Sequence, residues 1–251
     1  MEKQKKKSNT SRKIKNFFFG LKILGILLCT VIGGYGILHA PDSDQTELEQ
    51  ELRKNEQFLQ NMENASQNTP DISSAIPVQT KESELPATTN TREKSISVIG
   101  DSVFLGAAPA FQKYYENAVI DAKISRQVYQ ALDVAKKLEK KKKLGNTVII
   151  ALGINGNFNP ATGQALIDYL GPDRDIYWIN AYGEDRDIQK KVNKTIQQLV
   201  KKNRHVHLID WAAKAKKHSD WFYQDETHLN EKGQEGYARF VKKSLEESST
   251  D

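Results

Sequence analysis

Between Ser95 and Glu247, short apolar runs alternate with stretches whose apolar residues recur every three or four positions. The runs are SISVIG (95–100), AVIDAKI (118–124), TVIIALG (147–153), DIYWINAYG (175–183) and HVHLIDW (205–211). Each has the length of one strand, and each is followed by a helical pattern. Helices are predicted from about Phe104 to Glu116, across VYQALDVAKKLEKKKKL, near Thr162–Tyr169, over Ile188–Val200 and from Asn230 onward. Ile188, Val192, Ile196 and Leu199 make one apolar stripe. Asn230 is a good helix cap, and the helix it opens would bury Tyr237, Phe240, Val241 and Leu245. Strict alternation of this kind predicts a three-layer α/β/α domain over 95–247. Its five-stranded parallel sheet would be covered on both faces. Ligands in such sheets bind beyond the C-terminal ends of the strands.

The chain before Ser95 reads differently. FFFGLKILGILLCTVIGGYGIL (17–38) is apolar except for Lys22, which lies near one end. That is the length of a transmembrane helix. Residues 1–16 carry Lys3, Lys5, Lys6, Lys7, Arg12, Lys13 and Lys15 against Glu2 alone. The positive-inside rule makes this a cytoplasmic tail, so the chain is expected to be a single-pass membrane protein with its α/β domain outside the cell. A cleaved signal peptide is the rival reading, but its apolar core is normally shorter. Residues 39–94 are expected to be a disordered or partly helical stalk, with a polar second half. Leu48, Leu52, Asn55, Leu59 and Met62 fall at heptad spacing with a polar residue in the middle. A solvated helix and a short coiled coil over 45–62, with weak dimerisation through it, both fit that pattern.

Composition narrows the class further. The net charge of +5 comes largely from the N-terminal cluster. No zinc-finger spacing, RNA-binding signature or phosphate-binding glycine loop accompanies it, so nucleic acid is not an expected partner. Cys29 is the single cysteine and lies in the apolar segment, which excludes an intramolecular disulfide. The lysine run 136–143 reads as a solvated helix end, favourable at the negative pole of the helix dipole.

The predicted strand ends gather a set of polar residues. They are Gly100-Asp101-Ser102, Ser125-Arg126, Gly153-Ile154-Asn155-Gly156 and Asn180-Ala181-Tyr182, with Asp225-Glu226-Thr227-His228 after the last strand. Each has an innocent reading as a turn or a cap. Together they supply the roles acyl transfer needs. Ser102 would be the nucleophile, His228 its base and Asp225 the group that orients the imidazole. The amide of Asn155 and the backbone N–H groups of Ser102 and Ser125 would form an oxyanion hole. Arg126, Asn180 and Tyr182 lie on the same predicted rim and are candidate substrate contacts, with Trp221 and Tyr223 behind them. His39, His205, His207 and His218 are better read as structural or solvated.

On Gly100-Asp101-Ser102-Val103, Gly153-Ile154-Asn155 and Asp225-x-x-His228, residues 95–245 resemble the SGNH (GDSL-like) hydrolase superfamily. More narrowly, Asp121–Gln127, Leu152–Gly156 and Thr227–Asn230 are similar to the extracellular catalytic domain of Gram-positive peptidoglycan O-acetyltransferases. That resemblance implies transfer of acetyl to the C6 hydroxyl of N-acetylmuramic acid in the cell wall, with no metal and no cofactor. The partner it implies is a wall polysaccharide acceptor. Bifunctional members of that family carry a multi-span acyltransferase domain that delivers acetyl groups; with one expected span, this chain would take its donor from a separate multi-span membrane acyltransferase, or act as a hydrolase. The superfamily has Gly where this chain has Ser125, and often Asp where it has Gly156; the second departure favours the transferase branch. An extracellular carbohydrate or lipid esterase is the alternative. An inactive membrane-tethered binding module is a third reading, which the complete set Ser102, Asp225 and His228 disfavours.

Overall fold

The computed structural model describes residues 43–67 and 95–248. The expected basic tail (1–16), anchor (17–38) and polar half of the stalk lie outside the described residues. Among those described, no helix is long and apolar enough to cross a membrane.

The five predicted strands are present as β1 (Ile96–Gly100), β2 (Val119–Ala122), β3 (Thr147–Ala151), β4 (Asp175–Ile179) and β5 (Val206–Ile209). All pair in parallel, in the order β2-β1-β3-β4-β5. This is the flavodoxin-like order that the SGNH resemblance implies. β1 and β3 are buried along their whole length, which is why they read as continuous apolar runs. The strands stop short of several predicted ends. Leu152 and Gly153 lie beyond β3, and Asn180–Gly183 lie beyond β4, where the Ala181 N–H donates to the side chain of Asn193 at 2.8 Å.

Seven α-helices occur among the described residues: α1 (Ser43–Gln67), α2 (Ser102–Gln112), α3 (Ala131–Lys140), α4 (Pro160–Leu170), α5 (Arg186–Lys202), α6 (Trp211–Ala215) and α7 (Glu231–Glu247). On one face of the sheet, α2 and α7 enclose a core of Phe104, Phe111, Ile149, Trp211 and Tyr237. On the other, α3, α4 and α5 enclose Ile150, Leu166, Trp178, Val192 and Ile196. Three layers result. α6 replaces the predicted end of β5, because Asp210 caps a helix there by accepting from the Ala213 N–H.

The segment read as a solvated helix or a short coiled coil is helical, but its stripe is turned onto the α/β domain. Leu52 and Asn55 are buried, Leu48 and Leu59 half-buried, and only Met62 is exposed. The reason lies in α2, whose sequence SVFLGAAPAFQ is apolar all round and so must be covered on its outer side too. It also contains Pro109, which has no N–H to return to the Leu105 carbonyl. Asn55 Nδ2 donates to the Leu105 and Gly106 carbonyls at 3.2 and 3.1 Å. The polar residue in the heptad stripe thus satisfies acceptors in α2. These contacts lie within the compact unit Glu47–Asp251.

Candidate active site

Asp101 closes β1 and caps α2. Its carboxylate accepts from the Val103 N–H at 3.0 Å, and its own N–H donates to the Ala151 carbonyl. This tight strand-to-helix turn puts Ser102 at the first position of α2, where free N–H groups and the positive end of the helix dipole converge. Asp101 is 3 % exposed, and burial pushes its carboxyl up to about 7, opposed by the Val103 N–H and by the charges of His228 and Arg126.

His228 arrives from the opposite side. Phe222 and Leu229 pair as an antiparallel bridge, and the Tyr223 N–H donates to the His228 carbonyl at 2.9 Å, so residues 222–229 form a small hairpin. Glu226 sits at its tip with φ +49. Asp225 Oδ1 accepts the N–H groups of Thr227 (2.9 Å) and His228 (2.8 Å), which bends the hairpin around its carboxylate. Asp225 Oδ2 then reaches His228 Nδ1 at 2.6 Å. Burial alone would raise the Asp225 pKa. The hydrogen bonds from the His228 ring and from both N–H groups outweigh it and hold the carboxyl below its ordinary value. On the other side of the ring, His228 Nε2 lies 2.8 Å from Ser102 Oγ. The hairpin is tied to the chain after β4 by Thr227, which accepts from the Glu184 N–H at 3.1 Å, and by the Arg186–Glu226 ion pair at 2.8 Å.

The residues expected to stabilise an oxyanion come from two further loops. Ser125 follows β2 with φ +57, in the left-handed region that favours glycine. Ser125 differs from the glycine that suits such a backbone only at its side chain, and its backbone N–H is in place. Asn155 follows the turn at Gly153, whose φ of +144 and close neighbour Val192 leave no room for a side chain. Asn155 Nδ2 donates one bond to the Arg126 carbonyl at 3.2 Å. An amide nitrogen carries two hydrogens, so one donor is left over.

The three expected substrate contacts separate. Arg126 is 6 % exposed, with its guanidinium donating to the Gly100 carbonyl and to the carbonyl and carboxylate of Asp121. It pins β1 to β2 instead of facing solvent. Asn180 is likewise a brace: it donates to Asp210 at 2.7 Å and accepts from the Ala212 N–H at 2.7 Å, joining the end of β4 to α6. Both read as rim residues because sequence alone shows no partner for a polar group at a strand end; the partners lie on β1 and β2 for Arg126, and at the start of α6 for Asn180. Tyr182 remains half-buried, against Phe222 and beneath the Arg186 guanidinium. Trp221 is core, stacked between His218 and Trp211. Tyr223 donates its hydroxyl to Glu51 of α1, a contact the sequence pattern did not announce.

A small cavity behind the Ser102 turn is lined by Asp101, Ile154, Tyr182, Trp211 and Tyr237 among others. Among the described residues, no group of three or more His, Cys, Asp or Glu side chains is arranged to hold a metal ion.

The sheet order and the helices on both faces are shared with solved structures. No protein-family profile matches the chain. The C-terminal catalytic domain of Streptococcus pneumoniae peptidoglycan O-acetyltransferase A (OatA), solved with a methylsulfonyl adduct, has the same fold. The TM-score is 0.56 at 24 % identity, over 62 % of this chain and 94 % of that domain. The esterase EstA of Pseudoalteromonas sp. matches with a TM-score of 0.52 at 17 % identity, over 62 % of this chain and 99 % of that one. In sequence, the chain is 32 % identical over 160 residues to the O-acetyltransferase OatA of Staphylococcus aureus (strain NCTC 8325 / PS 47). The match covers 63 % of this chain and 26 % of that protein, so this chain spans about a quarter of the relative's length.

Proposed function

We propose that this domain forms an acyl-enzyme at Ser102 and passes the acyl group, most simply acetyl, to a hydroxyl of a cell-wall polysaccharide such as peptidoglycan. The observation that carries the reading is the continuous chain Ser102 Oγ, His228, Asp225, with contacts of 2.8 and 2.6 Å, at the rim where the strands end. Ser102 Oγ attacks the acyl carbonyl while His228 Nε2 takes its proton. Asp225 holds the Nδ1–H tautomer and balances the imidazolium charge. The Ser102 and Ser125 N–H groups and the second hydrogen of Asn155 Nδ2 would bind the oxyanion. On collapse, His228 returns the proton to the leaving oxygen. A second hydroxyl then enters, loses its proton to His228 and takes the acyl group, restoring Ser102.

If that second hydroxyl belongs to a sugar, the reaction is transfer; if it is water, the domain is an esterase. The similarity to the S. aureus O-acetyltransferase favours transfer, and the fold it shares with EstA keeps hydrolysis as the alternative. Transfer needs a bound acceptor whose effective concentration exceeds that of water at about 55 M, which orientation in a groove can supply. The apolar segment 17–38 and the basic residues before it support a single membrane anchor with the domain outside the cell, within reach of the wall. An acyl donor from a separate membrane acyltransferase would complete the system.

The test is to supply an activated acetyl ester with chitooligosaccharide or muropeptide acceptors and to quantify both products. O-acetylated sugar appearing at the expense of free acetate supports transfer. Acetate release that acceptor leaves unchanged, with no O-acetyl sugar, replaces it with the esterase reading.

A further inference from the structure

Helix α1 touches both halves of the site described above. Asn55 donates to the Leu105 and Gly106 carbonyls, one turn into the helix that begins at Ser102. One turn earlier on α1, Glu51 accepts the Tyr223 hydroxyl at 2.8 Å and the Gln234 amide. Both partners belong to the acid–base hairpin or its footing. Tyr223 donates its N–H to the His228 carbonyl, and Gln234 Nε2 also donates to the Leu229 carbonyl at 3.0 Å. Ser102 and His228 are 126 residues apart in sequence. A single turn of α1 holds the segments that carry them.

These contacts are directional. Burial alone would be served by a leucine at position 55, and the neighbouring Leu52 already provides apolar cover at 5 % exposure. An amide there has donors aimed at a carbonyl that Pro109 leaves without its helical partner. A buried donor or acceptor left unmade is costly, so sliding α1 by one turn would break the bonds of Asn55 and Glu51 together. The pair therefore fixes the register of α1 on the domain, much as a single polar residue fixes register in a coiled coil.

We propose that α1 is a brace for the active site, with Asn55 and Glu51 as positioning residues that keep Ser102 Oγ and His228 Nε2 at reacting distance. Its effect on turnover rests on the acyl-enzyme reading above; its effect on the motion of the two segments does not. Displacing reacting groups by about an ångström costs roughly 10²-fold in rate, so a modest loosening is measurable. The functional domain then begins at α1, before the first strand.

The experiment uses the full chain with Asn55→Leu, Glu51→Ala, Glu51→Gln and Tyr223→Phe, and Met62→Ala on the exposed side of the same helix as control. Turnover of an activated acetyl ester, the rate of sulfonylation at Ser102 and amide hydrogen exchange over 103–111 and 223–229 are measured. Asn55→Leu and Glu51→Ala should lower kcat by roughly 10-fold with KM little changed, and should raise exchange in the segment each one holds. Glu51→Gln should recover most of the rate, because the Tyr223 hydroxyl can accept from the new amide. Met62→Ala should match wild type. A folded Asn55→Leu with wild-type kcat and exchange overturns the brace, as does a change confined to KM. If Asn55→Leu does not fold, Tyr223→Phe, which removes one hydroxyl, takes its place: wild-type kcat and exchange there overturn the proposal. If wild type itself neither turns over ester nor is sulfonylated, the acyl-enzyme reading fails, and the exchange comparison still decides the brace.

Discussion

The side chain of Asn155 donates to the backbone carbonyl of Arg126 at 3.2 Å, tying the loop after β3 to the loop after β2. Arg126 follows Ser125 directly, so this bond aligns the Asn155 amide and the Ser125 N–H as one unit. It also fixes which way the amide faces, because only its nitrogen can donate to a carbonyl. Asn155→Ala should lower kcat by roughly 10²–10³-fold with a smaller change in KM. Steady-state kinetics on an acetyl ester check this. A raised KM at unchanged kcat would make Asn155 a substrate-binding residue instead.

Asp225 has two separable jobs. One oxygen orients His228; the other accepts the Thr227 and His228 N–H groups that shape the hairpin. Asp225→Asn can keep an acceptor for the hairpin but cannot hold the imidazole as a carboxylate does. Its kcat should fall by roughly 10⁴-fold while its melting temperature stays near wild type. Asp225→Ala should lose the same activity and also about 1 kcal/mol or more of stability, from the two N–H groups left without their partner. Equal melting temperatures for the two variants would remove the structural half of this account.

Much of this site was legible because its chemistry lies at strand ends. Continuous β-branched runs such as Thr147–Ile150 mark the buried strands, and alternation with helices puts Ser102, Asn155 and His228 on one rim. The structure brings Ser102, His228 and Asp225 into contact there. Pairings between distant polar groups were not legible. Arg126 and Asn180 read as exposed because the Gly100 carbonyl and Asp210 become their partners only once the sheet is assembled. Asn55 looked like the polar residue of a coiled coil because both uses place one amide in an apolar stripe. Its real partner is a carbonyl freed by a proline 54 positions further on, which no local period reveals.

Ser125 offers a test of why glycine suits the second loop. A non-glycine residue in the left-handed region costs roughly 1–2 kcal/mol, and glycine itself costs about 0.5–1 kcal/mol through the unfolded chain. Ser125→Gly should therefore be neutral to stabilising by about 1 kcal/mol. It should retain activity, since only the backbone N–H is asked to act. Ser125→Val puts a β-branched side chain at φ +57 and should be the least stable of the three. Chemical denaturation gives the ranking. A stable, active Ser125→Val would show that the loop relaxes out of this conformation and that its N–H is not held for the oxyanion.

Asp101 predicts a pH dependence opposite to that of an ion-paired carboxylate. Burial pushes its pKa up to about 7, against an ordinary value of 3.8. Between those values the folded protein keeps a proton that the unfolded chain gives up, so the native state binds more protons. Stability contributed by this group must then fall as pH rises from about 4 to about 7, and level off above. The shift of roughly three pH units corresponds to at most about 4 kcal/mol. Asp101→Asn retains an oxygen to accept the Val103 N–H and removes the titration. The variant should match wild type near pH 4 and gain on it through pH 7. Above that, its melting temperature should be higher by several degrees at about 2–4 °C per kcal/mol. Paired thermal melts from pH 4 to 8 measure this directly. A difference that does not change with pH would mean that Asp101 titrates alike in the folded and unfolded chains, and that burial in the turn before Ser102 does not disfavour its charged form.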